Sequence, residues 1–105
     1  MTSDVQELNR QVTVAIFRAE LAAAGTPEEE TALLYVSDLE ERLAQLLPAN
    51  ELQGAVARVG AVTAAIDAGD WLRAKRLIEM YRINAPADLA EDLQELAMEL
   101  VMAVP

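Results

Sequence analysis

The sequence of 105 residues contains no cysteine and no histidine, and only 4% of its residues are aromatic. Without histidine, no side chain ordinarily exchanges protons near neutral pH, and without cysteine there is no thiolate nucleophile. The two residue types that most often bind transition metals are therefore both missing. We expect a protein that is not an enzyme and that holds no cofactor.

Basic residues are scarce as well. Eight Lys and Arg residues stand against 18 Asp and Glu residues, which gives a net charge of −10. A negative charge of this size repels nucleic acids and anionic membranes. No apolar run is long enough for a membrane span, and residues 1–10 are polar and acidic, unlike a signal peptide. We predict a cytoplasmic protein that binds neither nucleic acid nor membrane directly.

Alanine and leucine are abundant and supply a third of the chain, whereas glycine and proline number four each. No segment alternates apolar and polar residues in the manner of a strand. We predict a single all-α domain over residues 1–105, built of about five antiparallel helices as a small bundle or a stack of helical hairpins. The predicted helices cover about residues 4–24, 27–47, 51–68, 71–83 and 87–104.

Capping residues support these boundaries. Ser3, Thr26, Asn50 and Asp70 are each placed to cap the helix that follows. The segment from Thr26 to Glu29 has the spacing of a capping box, in which the glutamate side chain reaches back to the capping residue.

Apolar residues at helical spacing predict which faces are buried. The predicted core includes Ile16 of the first helix and Tyr35 and Leu46 of the second. It also includes Leu52, Val56, Val62 and Ile66 of the third helix and Trp71, Ala74, Leu77, Ile78 and Tyr81 of the fourth. The third helix also carries a second stripe, of small residues that would let a neighbouring helix come close: Ala57, Ala61, Ala64 and Ala68.

The turn and helix from residue 69 have a recognisable pattern. Gly69-Asp70-Trp71, followed by Ala74, Ile78, Tyr81 and Pro86, resembles the second half of a tetratricopeptide repeat, with residues 55–86 covering one copy. The resemblance implies a helical scaffold that presents a groove to a peptide or a helix. An ordinary antiparallel helical hairpin would show the same turn glycine, capping aspartate and terminal proline.

Charged residues form two further clusters. The fourth predicted helix carries four cations: Arg73, Lys75, Arg76 and Arg82. They would bind a phosphate group or an acidic partner segment, or, as we favour, they would pair with acidic neighbours in the same fold. One side of the last helix carries five acids: Asp88, Glu91, Asp92, Glu95 and Glu99. They would ligate a metal ion or, as we favour, form a face of the helix that is exposed to solvent.

Several apolar residues exceed what one small core needs. They predict an association surface, because contiguous exposed apolar area is uncommon on a monomer. They are Val14, Phe17, Leu21, Leu33, Leu34, Met98 and Met102.

Together these features favour a non-enzymatic interaction module, such as a small acidic adaptor, chaperone or regulatory subunit. It would bind a helical or basic protein partner, or a second copy of the chain, through its apolar faces. One alternative is an acidic mimic of nucleic acid that inhibits a basic protein, using the acids of the last helix together with Glu28, Glu29, Glu30, Asp38, Glu40 and Glu41. A second alternative is an all-α nucleotide hydrolase that holds its metal with carboxylates.

Overall fold

The computed structural model describes residues 3–105 and shows five α-helices: α1 (Asp4–Leu21), α2 (Pro27–Leu46), α3 (Leu52–Asp67), α4 (Trp71–Arg82) and α5 (Ala87–Ala103). These residues form no strand, so the predicted all-α fold is confirmed. Met1 and Thr2, which we assigned to the same domain, lie outside the described residues. In the described part of the chain, no helix combines the length and the apolar character needed to cross a bilayer.

Three of the predicted caps are present. The Ser3 hydroxyl accepts from the Gln6 amide and the Gln6 side chain accepts from the Ser3 amide, which completes a capping box. Thr26 accepts from the Glu29 amide, but the Glu29 carboxylate accepts from the amide of Gly25, one residue before the predicted partner. Asp70 accepts from the amide of Arg73.

The predicted cap at Asn50 is wrong. The Glu51 amide donates to the Pro48 carbonyl, so Asn50 lies within a tight turn and α3 begins one residue later than a cap at Asn50 requires. Glu51 occupies the capping position without a side-chain hydrogen bond.

Helix α3 lies at the centre of the arrangement. Consecutive helices pack against each other along the chain, and α3 also contacts α5, so that α2, α4 and α5 all adjoin α3. The backbone of α1, by contrast, lies next to that of α2 alone. The molecule is flat, with extents of 42 × 36 × 16 Å.

The faces of α3 are used partly as predicted. Val62 and Ile66 are buried in the main core as predicted, but so are the small residues Ala57, Ala61 and Ala65, which are fully inaccessible. Leu52 and Val56, which we predicted to be buried, are 80% and 57% exposed. A helix with three neighbours needs small side chains where the neighbouring backbones come close. Two larger residues of its first half, Leu52 and Val56, are left on its open face.

Three other predicted core residues are also exposed by more than a third: Ile16, Tyr35 and Leu46. Helix α1 adjoins α2 alone, and α2 lies between α1 and α3, so in this thin molecule the sides of both helices that face no neighbour are left open. In α4 the prediction is correct for Ala74, Leu77, Ile78 and Tyr81, which are buried, whereas Trp71 is half-buried.

Candidate functional site: an acidic cleft along α3

A cleft of about 960 Å³ runs along the open face of α3. Helix α3 forms its floor, α2 and the end of α1 form one wall, and the start of α5 forms the other. The apolar side chains that line it include Ile16, Leu33, Leu52, Ala55, Val56 and Val59. Three of the large apolar residues that the fold leaves exposed, Ile16, Leu52 and Val56, therefore lie in one concave surface.

The polar lining of the cleft is acidic. Seven carboxylates line it, whereas none of the lining residues in the described chain is Lys or Arg: Glu20, Glu29, Glu40, Glu51, Asp67, Asp88 and Asp92. Burial raises the pKa of the Asp67 carboxyl above its usual value, and the nearby carboxylates of Glu99 and Glu29 raise it further. The cleft therefore has a strongly negative potential.

Glu40 differs from the other acids because its side chain is buried, with only 8% of the residue exposed. Within residues 3–105 it makes no side-chain hydrogen bond and no ion pair; the α2 side chains that do are Glu29, Ser37, Asp38, Glu41 and Arg42. Burial raises the pKa of the Glu40 carboxyl from 4.5 to about 7. An uncompensated carboxylate thus lies in the wall of the cleft.

Gly60 makes room for this carboxylate. A Cβ atom at Gly60 would overlap a Glu40 carboxylate oxygen. Glycine inside a helix lowers stability by about 1 kcal/mol relative to alanine, so a glycine at mid-helix indicates a close approach by another group. Here that group is the Glu40 side chain, and both residues line the cleft.

The neighbouring Glu41 has a different environment. Its carboxylate lies 2.7 Å from the Arg73 guanidinium and 3.3 Å from that of Arg76. Arg73 also donates to the Ser37 hydroxyl at 2.8 Å, and Ser37 in turn donates to the Ala61 carbonyl at 2.7 Å. This polar cluster links α2, α3 and α4.

The four cations of α4 are mostly used inside the fold. Arg73 and Arg76 pair with Glu41, and Lys75 lies 3.8 Å from Glu79, as we favoured. Arg82 is exposed and makes no ion pair with any residue that the structure describes. The four cations therefore do not converge on one open position where an external phosphate group could bind.

The five acids of α5 are all exposed, and two of them, Asp88 and Asp92, line the cleft. Among residues 3–105, no three Asp or Glu side chains lie together in an arrangement that could hold a metal ion. Two of the acids that we assigned to the surface of a nucleic-acid mimic are not available there, because Glu40 is buried and Glu41 pairs with Arg73. The mimic and the metal hydrolase stay predictions.

The predicted apolar association residues lie on three helices, α1, α2 and α5. Leu33 lines the cleft, and Leu34 is half-buried outside its lining. Val14, Phe17 and Leu21 are exposed on α1. On α5 the exposed residues are Met98 and Met102. Because α1 and α5 are not neighbours, the exposed residues on these helices form two separate patches.

Tyr81 is a second buried titratable residue, but it lies outside the lining of the cleft. Its hydroxyl has no hydrogen-bond partner in the described chain, and burial is the main cause that raises its pKa to about 12. The Arg58 guanidinium carbon lies 5.6 Å from the centroid of its ring. Arg58 itself donates to the carbonyls of Leu47 and Gly54, so this contact holds the start of α3 against the end of α2.

Comparison of the chain with protein-family models, with curated proteins and with solved structures found no match. The tetratricopeptide resemblance therefore rests on the residues that carry it. In the structure these residues lie in the α3–α4 turn, in α4 and at the start of α5, and the turn contains Gly69 with a positive φ of 77°.

Proposed function

We propose that this chain is a non-enzymatic interaction module whose cleft binds a basic amphipathic helix of a partner protein. The observation that carries the proposal is the lining of the cleft, which combines an apolar floor with polar groups that are all acidic or uncharged. Such a surface is complementary to a helix with apolar residues on one face and Lys or Arg beside them.

The dimensions of the cleft suit this ligand. Helix α3 has 16 residues and is therefore about 24 Å long, which matches about four turns of a bound helix. The apolar residues Leu52, Val56 and Val59 follow the spacing of three and four that places side chains in a row along a helix. In the proposed complex, this row would lie against the row of apolar residues on the bound helix.

The charge of the cleft makes a further contribution. Exposed carboxylates such as Asp88 and Asp92 would attract a basic ligand and orient it. Because salt screens such interactions, the binding should weaken as the salt concentration rises, while the apolar contribution remains.

The test uses an 18-residue helical peptide of Leu, Ala and Lys, labelled with a fluorophore. We expect fluorescence anisotropy to show saturable binding that weakens between 50 mM and 500 mM salt, and no binding of a control peptide that has Glu in place of each Lys. Failure of the basic peptide to bind, or equal binding of the acidic peptide, would refute the proposal.

Two matched variants locate the binding surface. Leu52 in the cleft and Leu72 on α4 are 80% and 83% exposed, so L52Q and L72Q remove equivalent side chains with little effect on the fold. We expect L52Q to weaken peptide binding by about tenfold, since it removes one apolar anchor, and L72Q to leave it unchanged. Equal losses in the two variants would place the peptide elsewhere.

A further inference from the structure

We infer that the cleft selects helices that carry a Lys or Arg within their apolar face, and that the Glu40 carboxylate binds this cation. The inference rests on the proposed function, and it adds a specific chemical requirement on the ligand. By contrast, a Lys or Arg at the edge of the apolar face of the ligand would meet the exposed acids of the cleft, such as Asp88 and Asp92, and not Glu40.

The first argument is the isolation of Glu40. A carboxylate removed from water is unfavourable unless it is paired, and buried acids usually have a partner. The adjacent Glu41 has two arginines, whereas Glu40 has neither a cation nor a hydrogen-bond donor in the described chain. The carboxylate borders the cleft and has no cation within the described chain, so a cation that pairs with it would come from a ligand.

The second argument is that the fold provides access to Glu40. Gly60 leaves its carboxylate room against α3, and both residues line the cleft, so a ligand lying on the floor can reach the carboxylate. The apolar side chains of Val36 and Val59 also line the cleft. They suit the methylene stem of a lysine or arginine whose charged end meets Glu40.

The third argument is the sign of the surrounding charge. The other titratable groups that line the cleft are all acidic, and they come from α1, α2, α3, α5 and the α2–α3 turn: Glu20, Glu29, Glu51, Asp67, Asp88 and Asp92. None of them can neutralise Glu40, and all of them favour a cation. The raised pKa of Glu40, about 7, shows how strongly its burial disfavours the charged form in the absence of such a cation.

The test is a double-mutant cycle with two peptide probes. One probe is the Leu, Ala and Lys peptide described above, and the other has the central Leu of its apolar face replaced by Lys. The ratio of the two dissociation constants is measured by anisotropy for the wild type and for E40Q. We expect the wild type to bind the second probe more tightly, relative to the first probe, than E40Q does. This relative preference should be about 30-fold larger for the wild type. E95Q, which removes an exposed acid of α5 outside the cleft lining, should leave the ratio unchanged.

A second measurement follows Glu40 in the wild-type protein itself. Carboxyl ¹³C NMR of the wild type, with the Glu40 resonance assigned by its absence in E40Q, should show that the pKa of Glu40 falls when the second probe binds. An unchanged ratio in E40Q, or an unchanged pKa of Glu40, would overturn the inference while the proposed function stands. Absence of binding of the first probe would instead contradict the proposed function.

Discussion

Replacing Glu40 by Gln should stabilise the unliganded fold at alkaline pH and affect it much less at acid pH. Gln resembles the protonated form of Glu in size and polarity, so E40Q removes the buried charge and keeps the packing. The pKa of Glu40 is raised from 4.5 to about 7 on folding. The folded state therefore holds this proton more tightly than the unfolded state, and the free energy of unfolding falls as pH rises from about 4.5 to about 7.

The pKa shift sets the magnitude of the effect. A rise from 4.5 to about 7 corresponds to about 3 kcal/mol once the group is fully ionised. Because the carboxyl borders the water of the cleft, solvent screening reduces this to about 2 kcal/mol. E40Q should thus be more stable than the wild type by about 2 kcal/mol at pH 8 and by less than about 1 kcal/mol at pH 5.

Urea denaturation at the two pH values, followed by circular dichroism, measures the difference. The wild type serves as the reference at each pH, so that the other acids of the chain cancel. The control E95Q removes one charge from the exposed face of α5 and should change the free energy of unfolding by less than about 0.5 kcal/mol. If E40Q were less stable than the wild type at pH 8, or if its effect were the same at both pH values, Glu40 would have a partner and the reasoning would be wrong.

Three further substitutions test other parts of the structure. G60A should change the free energy of unfolding by less than about 1 kcal/mol, because the overlap of the added methyl group with the end of the Glu40 side chain offsets the better helix propensity of alanine. In an E40A background the same substitution should stabilise the fold by about 1 kcal/mol in urea denaturation, and equal effects of G60A in both backgrounds would contradict the contact. Y81F should be neutral or stabilising by up to about 1 kcal/mol, since the buried hydroxyl has no partner, and a larger loss in the same assay would reveal a hydrogen bond. F17A/L21A should keep the free energy of unfolding within about 1 kcal/mol, because these residues are 60% and 84% exposed. Sedimentation of this variant beside the wild type tests whether the patch serves self-association, and a collapse of its thermal transition would show that the two residues belong to the core.

The helices could be predicted from the sequence because local signals mark their ends. Ser3, Thr26 and Asp70 cap helices through hydrogen bonds to amides three residues away, so a short stretch of sequence contains both partners. The faces of α3 could not be predicted in this way. Both of its stripes are apolar, and the choice between them depends on which neighbours surround the helix.

The cleft was missed for the same reason. Leu52 and Val56 were assigned to the core, although they form part of the floor of the cleft. Glu40 was treated as one acid among several, because its burial depends on Gly60, which lies on another helix. The one local signal was Gly60 itself, a glycine in the interior of a predicted helix.

The position of α1 at the edge of this thin molecule has a consequence for its dynamics. Its backbone adjoins only α2, and its buried residues Val12 and Ala15 belong to the smaller of two core clusters. A helix attached along one side can open without disturbing the rest of the fold. In native-state hydrogen exchange, the amide protons of α1 should therefore exchange at lower free energies of opening than those of α3, and such an opening would also remove Ile16 and Glu20 from one wall of the cleft.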